Sequence, residues 1–196
     1  VSLGGAEDNY LIVWDVETGK AIWGNTAGTS GGDGLRATWY WSWNAGYWSS
    51  SNMEYVPCRQ HRWWPGMDEV NGHASTATMS LNEPEHTEQH TSDKCSCGGT
   101  TDAWTAYGYN SSFQASGARI GSPQPTDLSY LTQYFKYVDE NNNQSRCDFA
   151  ITHAYWDLGG RDANSYADWF CYTQCKGIYN STHRPVWLTE MEVSAS

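Results

Sequence analysis

Two short apolar segments of this chain each end in a glutamate: Ala77-Thr78-Met79-Ser80-Leu81-Asn82-Glu83-Pro84, and Pro185-Val186-Trp187-Leu188-Thr189-Glu190. A run of small and apolar residues closed by proline reads as a buried strand that must stop. Pro84 cannot extend a hydrogen-bonded ladder, and it restricts the backbone of the residue before it. Glu83 is therefore fixed at a strand tip with the Asn82 amide beside it, and Glu190 stands at a second tip. Any fold for this chain has to place two buried strands so that both carry a carboxyl at the end.

The intervening sequence says how. Strand-like bursts lie near residues 22, 40, 56, 79, 120, 150 and 187. Tyr10–Trp14 and Ala21–Trp23 are short apolar runs with a turn at Glu17-Thr18-Gly19 between them. Trp39, Trp41 and Trp43 alternate, so they share one face of a strand. Met53 to Arg59 is the next strand. Between later strands, Leu128, Leu131, Tyr134, Phe135 and Val138 recur at helical spacing behind Thr126 as N-cap, and Tyr166, Trp169, Phe170 and Thr173 repeat the period. A further helix is expected over Trp104–Ala115, after a polar loop spanning residues 86–101. Strands alternating with helices predict an α/β fold of parallel strands, a (β/α)8-type TIM barrel. Seven strands from Ala21 leave it one unit short. Either Tyr10–Trp14 supplies the eighth, or the last βα unit at the C-terminus is missing. On this reading residues 1–19 are an N-terminal extension or the end of a preceding domain, and residues 20–196 are the barrel.

Composition narrows the partner. The formal charge of −11 argues against a nucleic-acid backbone, which needs clustered Lys and Arg. Charged residues are only 17% of the chain, whereas there are 12 Trp and 13 Tyr, the flat apolar faces that a sugar cleft requires. No run reaches the roughly 18 apolar residues of a membrane span. Six cysteines (Cys58, Cys95, Cys97, Cys147, Cys171, Cys175) fit a disulfide framework of undetermined pairing. Together with sequons at Asn110, Asn143 and Asn180 they point to a secreted, extracellular protein carrying glycans.

In a parallel βα fold, side chains at the carboxyl ends of the strands build the active site. Glu83, Glu190, Trp43, His153 and Tyr155 all fall there. Two carboxyls facing each other across an aromatic cleft are the machinery of glycoside hydrolysis. One protonates the leaving oxygen, and the other attacks the anomeric carbon or activates water. Ionisation of one carboxylate is expected to raise the pKa of its neighbour, the acid. His86 and His90, four residues apart, lie in a polar stretch without an apolar face, so no metal site is assigned, and no cofactor is implied.

The ordered set Trp39-Tyr40-Trp41-Ser42-Trp43, Val56-Pro57, Leu81-Asn82-Glu83-Pro84, Gly121-Ser122-Pro123, His153-Ala154-Tyr155 and Trp187-Leu188-Thr189-Glu190 resembles the retaining β-1,3-glucanases of glycoside hydrolase family 128, over about Ala21 to Glu190. The resemblance implies Glu83 as acid/base at the end of the family's fourth strand and Glu190 as nucleophile at the end of its seventh. It implies that Asn82 binds the sugar hydroxyl next to the anomeric carbon, and that His153 and Tyr155 line the cleft and orient the nucleophile. Trp39, Trp41, Trp43, Trp187 and one of Trp63 or Trp64 are then substrate contacts. Trp41-Ser42 stands where the family has Tyr-Asn, and Ala154 where it has Trp, so the cleft walls differ from the family pattern. The chain stops six residues past Glu190, and on this reading it is part of a longer chain or extracellular assembly.

The function expected is that of a secreted, endo-acting hydrolase cleaving β-1,3-glucan with retention. The competing reading is a non-catalytic glycan-binding or extracellular structural glycoprotein on the same barrel. Carboxyl groups about 5–5.5 Å apart would accord with retention, and about 6.5–9.5 Å with inversion.

Overall fold

A computed structural model of the chain describes residues 2–3, 10–14, 21–26, 39–41, 54–61, 64–73, 75–86, 117–140, 147–157 and 162–194. Among these, no helix is long and apolar enough to cross a membrane. The expected Trp104–Ala115 helix and most of the 86–101 loop lie outside them.

Strands β1 (Ser2–Leu3), β2 (Tyr10–Trp14) and β3 (Ala21–Thr26) form an antiparallel sheet, with Val13 opposite Trp23. This corrects one expectation: the strand near residue 22 does not open the parallel series. Only residues 15–20 connect β2 to β3, enough for a hairpin but too few for the dozen or so residues of a parallel crossover.

The parallel series starts with β4 (Trp39–Tyr40), which pairs with β5 (Glu54–Tyr55). Pro57 interrupts the predicted Met53–Arg59 strand, because it offers no N–H to the ladder. The strand resumes as β6 (Cys58–Arg59), parallel to β7 (Ala77–Ser80). β7 pairs with β8 (Arg119–Ile120), a bridge from Gly121 to Phe149 carries the sheet onward, and β9 (Ala150–Asp157) pairs with β10 (Val186–Ser194). From β7 onward each strand thus lies beside its predecessor in sequence. Helix α1 (Met67–Gly72) connects β6 to β7, and α2 (Leu128–Glu140) connects β8 to β9. Between β9 and β10 run α3 (Ala163–Trp169), a π-helical segment (Phe170–Cys175) and α4 (Lys176–Thr182).

The two faces of the sheet carry separate cores. Val56, Cys58, Ala77, Met79, Phe149 and Ile151 form the inner one, with Trp39, Trp41 and Trp187 packed against it. Trp39 on β4 stacks on Trp187 of β10 with ring centroids 4.7 Å apart, so the first and last strands of the series curl toward each other. Gly121 makes room for this core. A Cβ there would stand 2.6 Å from Ile151 Cδ1 and 2.7 Å from Phe149 Cε2. The outer face is covered by α2, whose Leu131, Tyr134, Phe135 and Val138 bury against Ile120 and Ala150 as the helical period predicts; Tyr130 joins them, and Leu128 is only partly buried. Its N-cap is Asp127 rather than Thr126: Asp127 Oδ1 accepts the Ser129 N–H at 2.7 Å. The Thr126 hydroxyl is committed elsewhere, donating to Glu85 Oε1 at 2.9 Å.

Cys58, Cys147 and Cys175 are thiols, outside any disulfide, which corrects their reading as members of a disulfide framework. Cys58 faces the inner core, where its sulfur accepts a hydrogen bond from Gln124 Nε2, and Cys147 lies in the core under α2. No other described cysteine sulfur shares either environment. Burial pushes the Cys58 thiol up to about 12. Cys171 lies in the π-helical segment, and Cys95 and Cys97 fall outside the described residues.

Two outcomes follow from these contacts. Gly121→Ala should cost about 1–3 kcal/mol by overpacking, read as a lower denaturant midpoint at unchanged slope. Glu54 sits at the foot of β5, and burial alone would raise its pKa. Hydrogen bonds from the Thr76 N–H and the Ser75 hydroxyl (2.9 Å), with the charge of Arg119, hold it below the usual carboxylate range. Its stabilisation is present above the unfolded-state pKa and is lost as pH falls through the lower folded value. Glu54→Gln should therefore flatten the acid side of the stability-against-pH curve.

Candidate active site

β7 hands the chain to the site through two residues with positive φ, Leu81 (24°) and Glu83 (38°). Backbone in this region costs an L-residue of the order of 1–3 kcal/mol, and it persists where surrounding bonds over-determine it. Here the Asn82 N–H donates to the Gln60 carbonyl (2.9 Å) and the Glu83 N–H to the Gln124 carbonyl (3.2 Å). The His86 N–H closes the turn on the Glu83 carbonyl (3.0 Å). Glu83 is thereby presented at the carboxyl end of β7, as its position before proline predicts.

On β9 the two-residue alternation carries Ile151, His153 and Tyr155 on one face, while Ala154 packs with Leu188 and Phe170 on the other. Glu190 does not stand at a strand tip as expected: β10 runs on to Ser194 and stays paired with β9, and the same alternation would send Glu190 outward with Leu188. A bulge prevents this. Leu188 pairs with Thr152 and Glu190 with His153, leaving Thr189 as an extra residue on β10. Bulges beside active sites re-aim side chains in this way. Thr189 turns inward to donate to Gln124 Oε1 (2.9 Å), and Glu190 meets Tyr155 and His153.

Three groups converge. His153 Nδ1 lies 2.9 Å from Glu83 Oε1 and 3.7 Å from Glu190 Oε2, with its own side chain fully buried. The Tyr155 hydroxyl donates to Glu190 Oε2. The nearest ligand atoms of Glu83, His153 and Glu190 all fall within 4.8 Å of one another. By spacing alone these groups could ligate a divalent cation, but the ring nitrogen this would need carries the hydrogen bond to Glu83. Glu83 is 12% and Glu190 22% exposed, so both reach the surface while their bonds stay sheltered. A cavity of about 320 Å³ is lined by His86, Thr126, Leu128, Thr152, His153, Ala154, Tyr155, Phe170 and Gln174; it shares His153 and Tyr155 with the site, and neither carboxyl lines it.

The electrostatics differ from the expectation that a neighbouring carboxylate raises the acid. Burial does act to raise Glu83. It is outweighed by the hydrogen bond from His153, the charges of His153 and His86, and the Tyr155 hydroxyl, which together hold the carboxyl below its usual range. Tyr155 moves the other way. Burial, its hydrogen bond to Glu190 and the charges of both glutamates push the phenol far above its usual range, so it keeps its proton and remains a hydrogen-bond donor at any working pH.

Asn82 is buried at the bridge to Gln124, next to Glu83. Trp39, Trp41 and Trp187 are half-buried against the inner core, and the stacking of Trp39 on Trp187 engages one face of each indole. Trp64 packs near His61 with centroids 6.0 Å apart. Trp43, Trp63, Asn110 and Asn143 lie outside the described residues, and Asn180 is exposed on α4. Two residues of the site escaped the sequence reading, Gln124 and Thr189. Gln124 left one signal, a polar residue set between Pro123 and Pro125 just past a strand.

The profile of the family described as glycosyl hydrolase catalytic core matches residues 15–196. Among solved structures the chain is similar to a glycoside hydrolase family 128 subgroup II endo-β-1,3-glucanase from Sorangium cellulosum. The TM-score is 0.53 at 16% identity, over 81% of this chain and 67% of that one. It is also similar to a subgroup V exo-β-1,3-glucanase from Cryptococcus neoformans, with a TM-score of 0.49 at 15% identity, over 79% of this chain and 58% of that one. At such identities the likeness is one of fold. No curated protein matches the chain.

If His153 is what holds the Glu83 carboxyl down, His153→Leu should raise it. The carboxyl ¹³C shift of Glu83, followed by NMR against pH, should then titrate at higher pH in the variant. An unmoved titration would mean that other groups set the value.

Proposed function

The chain belongs to the glycosyl hydrolase catalytic core family, and from that premise we propose that it is an extracellular, endo-acting hydrolase of β-1,3-glucan that works with retention on a (β/α)8-type barrel. The observation that carries this reading is the approach of the Glu83 and Glu190 oxygens to within 4.8 Å. Inverting enzymes hold their carboxyl groups about 6.5–9.5 Å apart so that water fits between them, whereas retaining enzymes bring them to about 5–5.5 Å.

In this mechanism Glu190 attacks the anomeric carbon while protonated Glu83 gives its proton to the departing glycosidic oxygen. A glycosyl ester forms on Glu190, and the Tyr155 hydroxyl, a permanent donor, frees its bond to the oxygen that becomes ester. Water then enters on the side of Glu83, which removes its proton as the ester breaks, and both carboxyls return to their starting states. Asn82, buried beside Glu83, holds the hydroxyl adjacent to the anomeric carbon. Half-buried Trp41 and the remaining tryptophans of the region supply apolar contact for the pyranose faces. The three sequons and the polysaccharide substrate support placement outside the cell.

Because Glu83 must be protonated to act as acid, its depressed pKa puts the alkaline limb of kcat/KM on the acid side of neutrality. Hydrolysis of laminari-oligosaccharides tests the assignment. Glu83→Gln should lower kcat by about 10²–10⁴-fold on substrates with poor leaving groups. Glu190→Gln should abolish turnover while glucan binding persists, and NMR of fresh product should show the β-anomer first. Normal cleavage by Glu190→Gln would refute the nucleophile assignment. Binding without turnover in the unaltered protein would mark a non-catalytic glycan-binding protein instead.

A further inference from the structure

Gln124 is wholly buried. Its backbone and side chain serve different strands. The main-chain carbonyl accepts the Glu83 N–H (3.2 Å) and its N–H donates to the Leu81 carbonyl (2.9 Å), which clamps both sides of Asn82 at the end of β7. The side-chain amide donates to the Ser80 carbonyl (2.9 Å) and to Cys58 Sγ (3.1 Å). Its oxygen accepts from the Thr189 hydroxyl (2.9 Å). Thr189 is the bulged residue that turns Glu190 toward the site. One amide plane thus joins the strand tip that carries Glu83 to the bulge that carries Glu190.

Resting on the hydrolase reading above, we propose that Gln124, acting through Thr189, is the positioning residue that sets the separation of the two carboxyls. A bulge leaves one residue without a ladder partner, and its direction is then decided by its side chain. With the hydroxyl of Thr189 bound to Gln124 in a buried setting, turning Thr189 outward would strand the amide oxygen. Glu190 follows Thr189 directly, so the bond that keeps one inward keeps the other aimed at Glu83. The Gln124 amide is itself held at both donor hydrogens, so it acts as a fixed spacer.

The test uses Thr189→Val, which keeps shape and removes the hydroxyl, and Thr189→Ser, which keeps the hydroxyl. On β-1,3-gluco-oligosaccharides Thr189→Val should lower kcat by about 10- to 100-fold, since displacement by about 1 Å costs on that order. KM should stay within about twofold, the thermal midpoint should fall because the buried Gln124 oxygen loses its partner, and Thr189→Ser should recover most of kcat and of the midpoint. Gln124→Met, which keeps volume, should give the same split. A crystal structure of either variant should show the Glu83 and Glu190 oxygens further apart than 4.8 Å. Wild-type kcat in Thr189→Val together with unaltered carboxyl spacing would overturn the proposal. If the unaltered protein hydrolyses no β-glucan, the hydrolase reading fails, and the spacing measured in the variants decides the role of Gln124 by itself.

Discussion

Two carboxyls brought within 4.8 Å of each other in a half-buried setting repel by about 3 kcal/mol at an effective dielectric near 20 if both are ionised. Buried His153, with Nδ1 facing both glutamates, and Tyr155, donating to Glu190, are what make that approach tenable. The arrangement divides the donors unequally. Imidazole favours the charged form of Glu83, while the phenol cannot ionise beside two acids and can only give a hydrogen bond. Without the pair of donors on β9, the end of β7 and the bulge of β10 could not carry acids so close together, whatever the rest of the sheet did.

The sheet supplies the approach itself. Consecutive parallel strands place β7 and β10 on either side of β8 and β9, and curling brings the inner faces of β4 and β10 into contact through Trp39 and Trp187. The space between those faces is filled by Met79, Phe149 and Ile151, and Gly121 is small because two of these side chains occupy what would be its Cβ position. This core lies beneath the site, since Trp187 precedes Glu190 on its strand and Met79 precedes Glu83. The carboxyls therefore rest on a packed floor, and their positions inherit its rigidity.

What was legible in the sequence was whatever local chemistry alone determines. The proline after Glu83 marks a strand tip by covalent geometry, and the buried face of α2 follows from spacing along a single helix. The parallel order of the later strands follows from connections long enough to cross over. What was not legible depends on partners distant in sequence. The hairpin of β2 and β3 turned on the length of a link rather than on composition. Cys58 and Cys147 are thiols because the sheet faces and α2 separate them, which no count of cysteines records. The bulge at Thr189 depends on Gln124, 65 residues earlier, and the downward shift of Glu83 depends on a histidine 70 residues later. Residue types at the site were readable, and the bonds between them were not.

The helical connection after β9 is wound more loosely at Phe170–Cys175 than on either side. A π turn holds one residue more than an α turn, so such a segment is in effect a helix with a single residue inserted. Phe170 packs on Ala154 and Leu188, and both Phe170 and Gln174 face the cavity that His153 and Tyr155 also line. Part of the wall of that cavity is thus built from a stretch of the connection whose winding can absorb the gain or loss of a residue locally. β9 and β10, bound to each other along eight paired positions, would keep their register through such a change. The shape of the cavity and the placement of the acids are consequently free to diverge independently, the first by length changes in a helix and the second only by changes in a sheet.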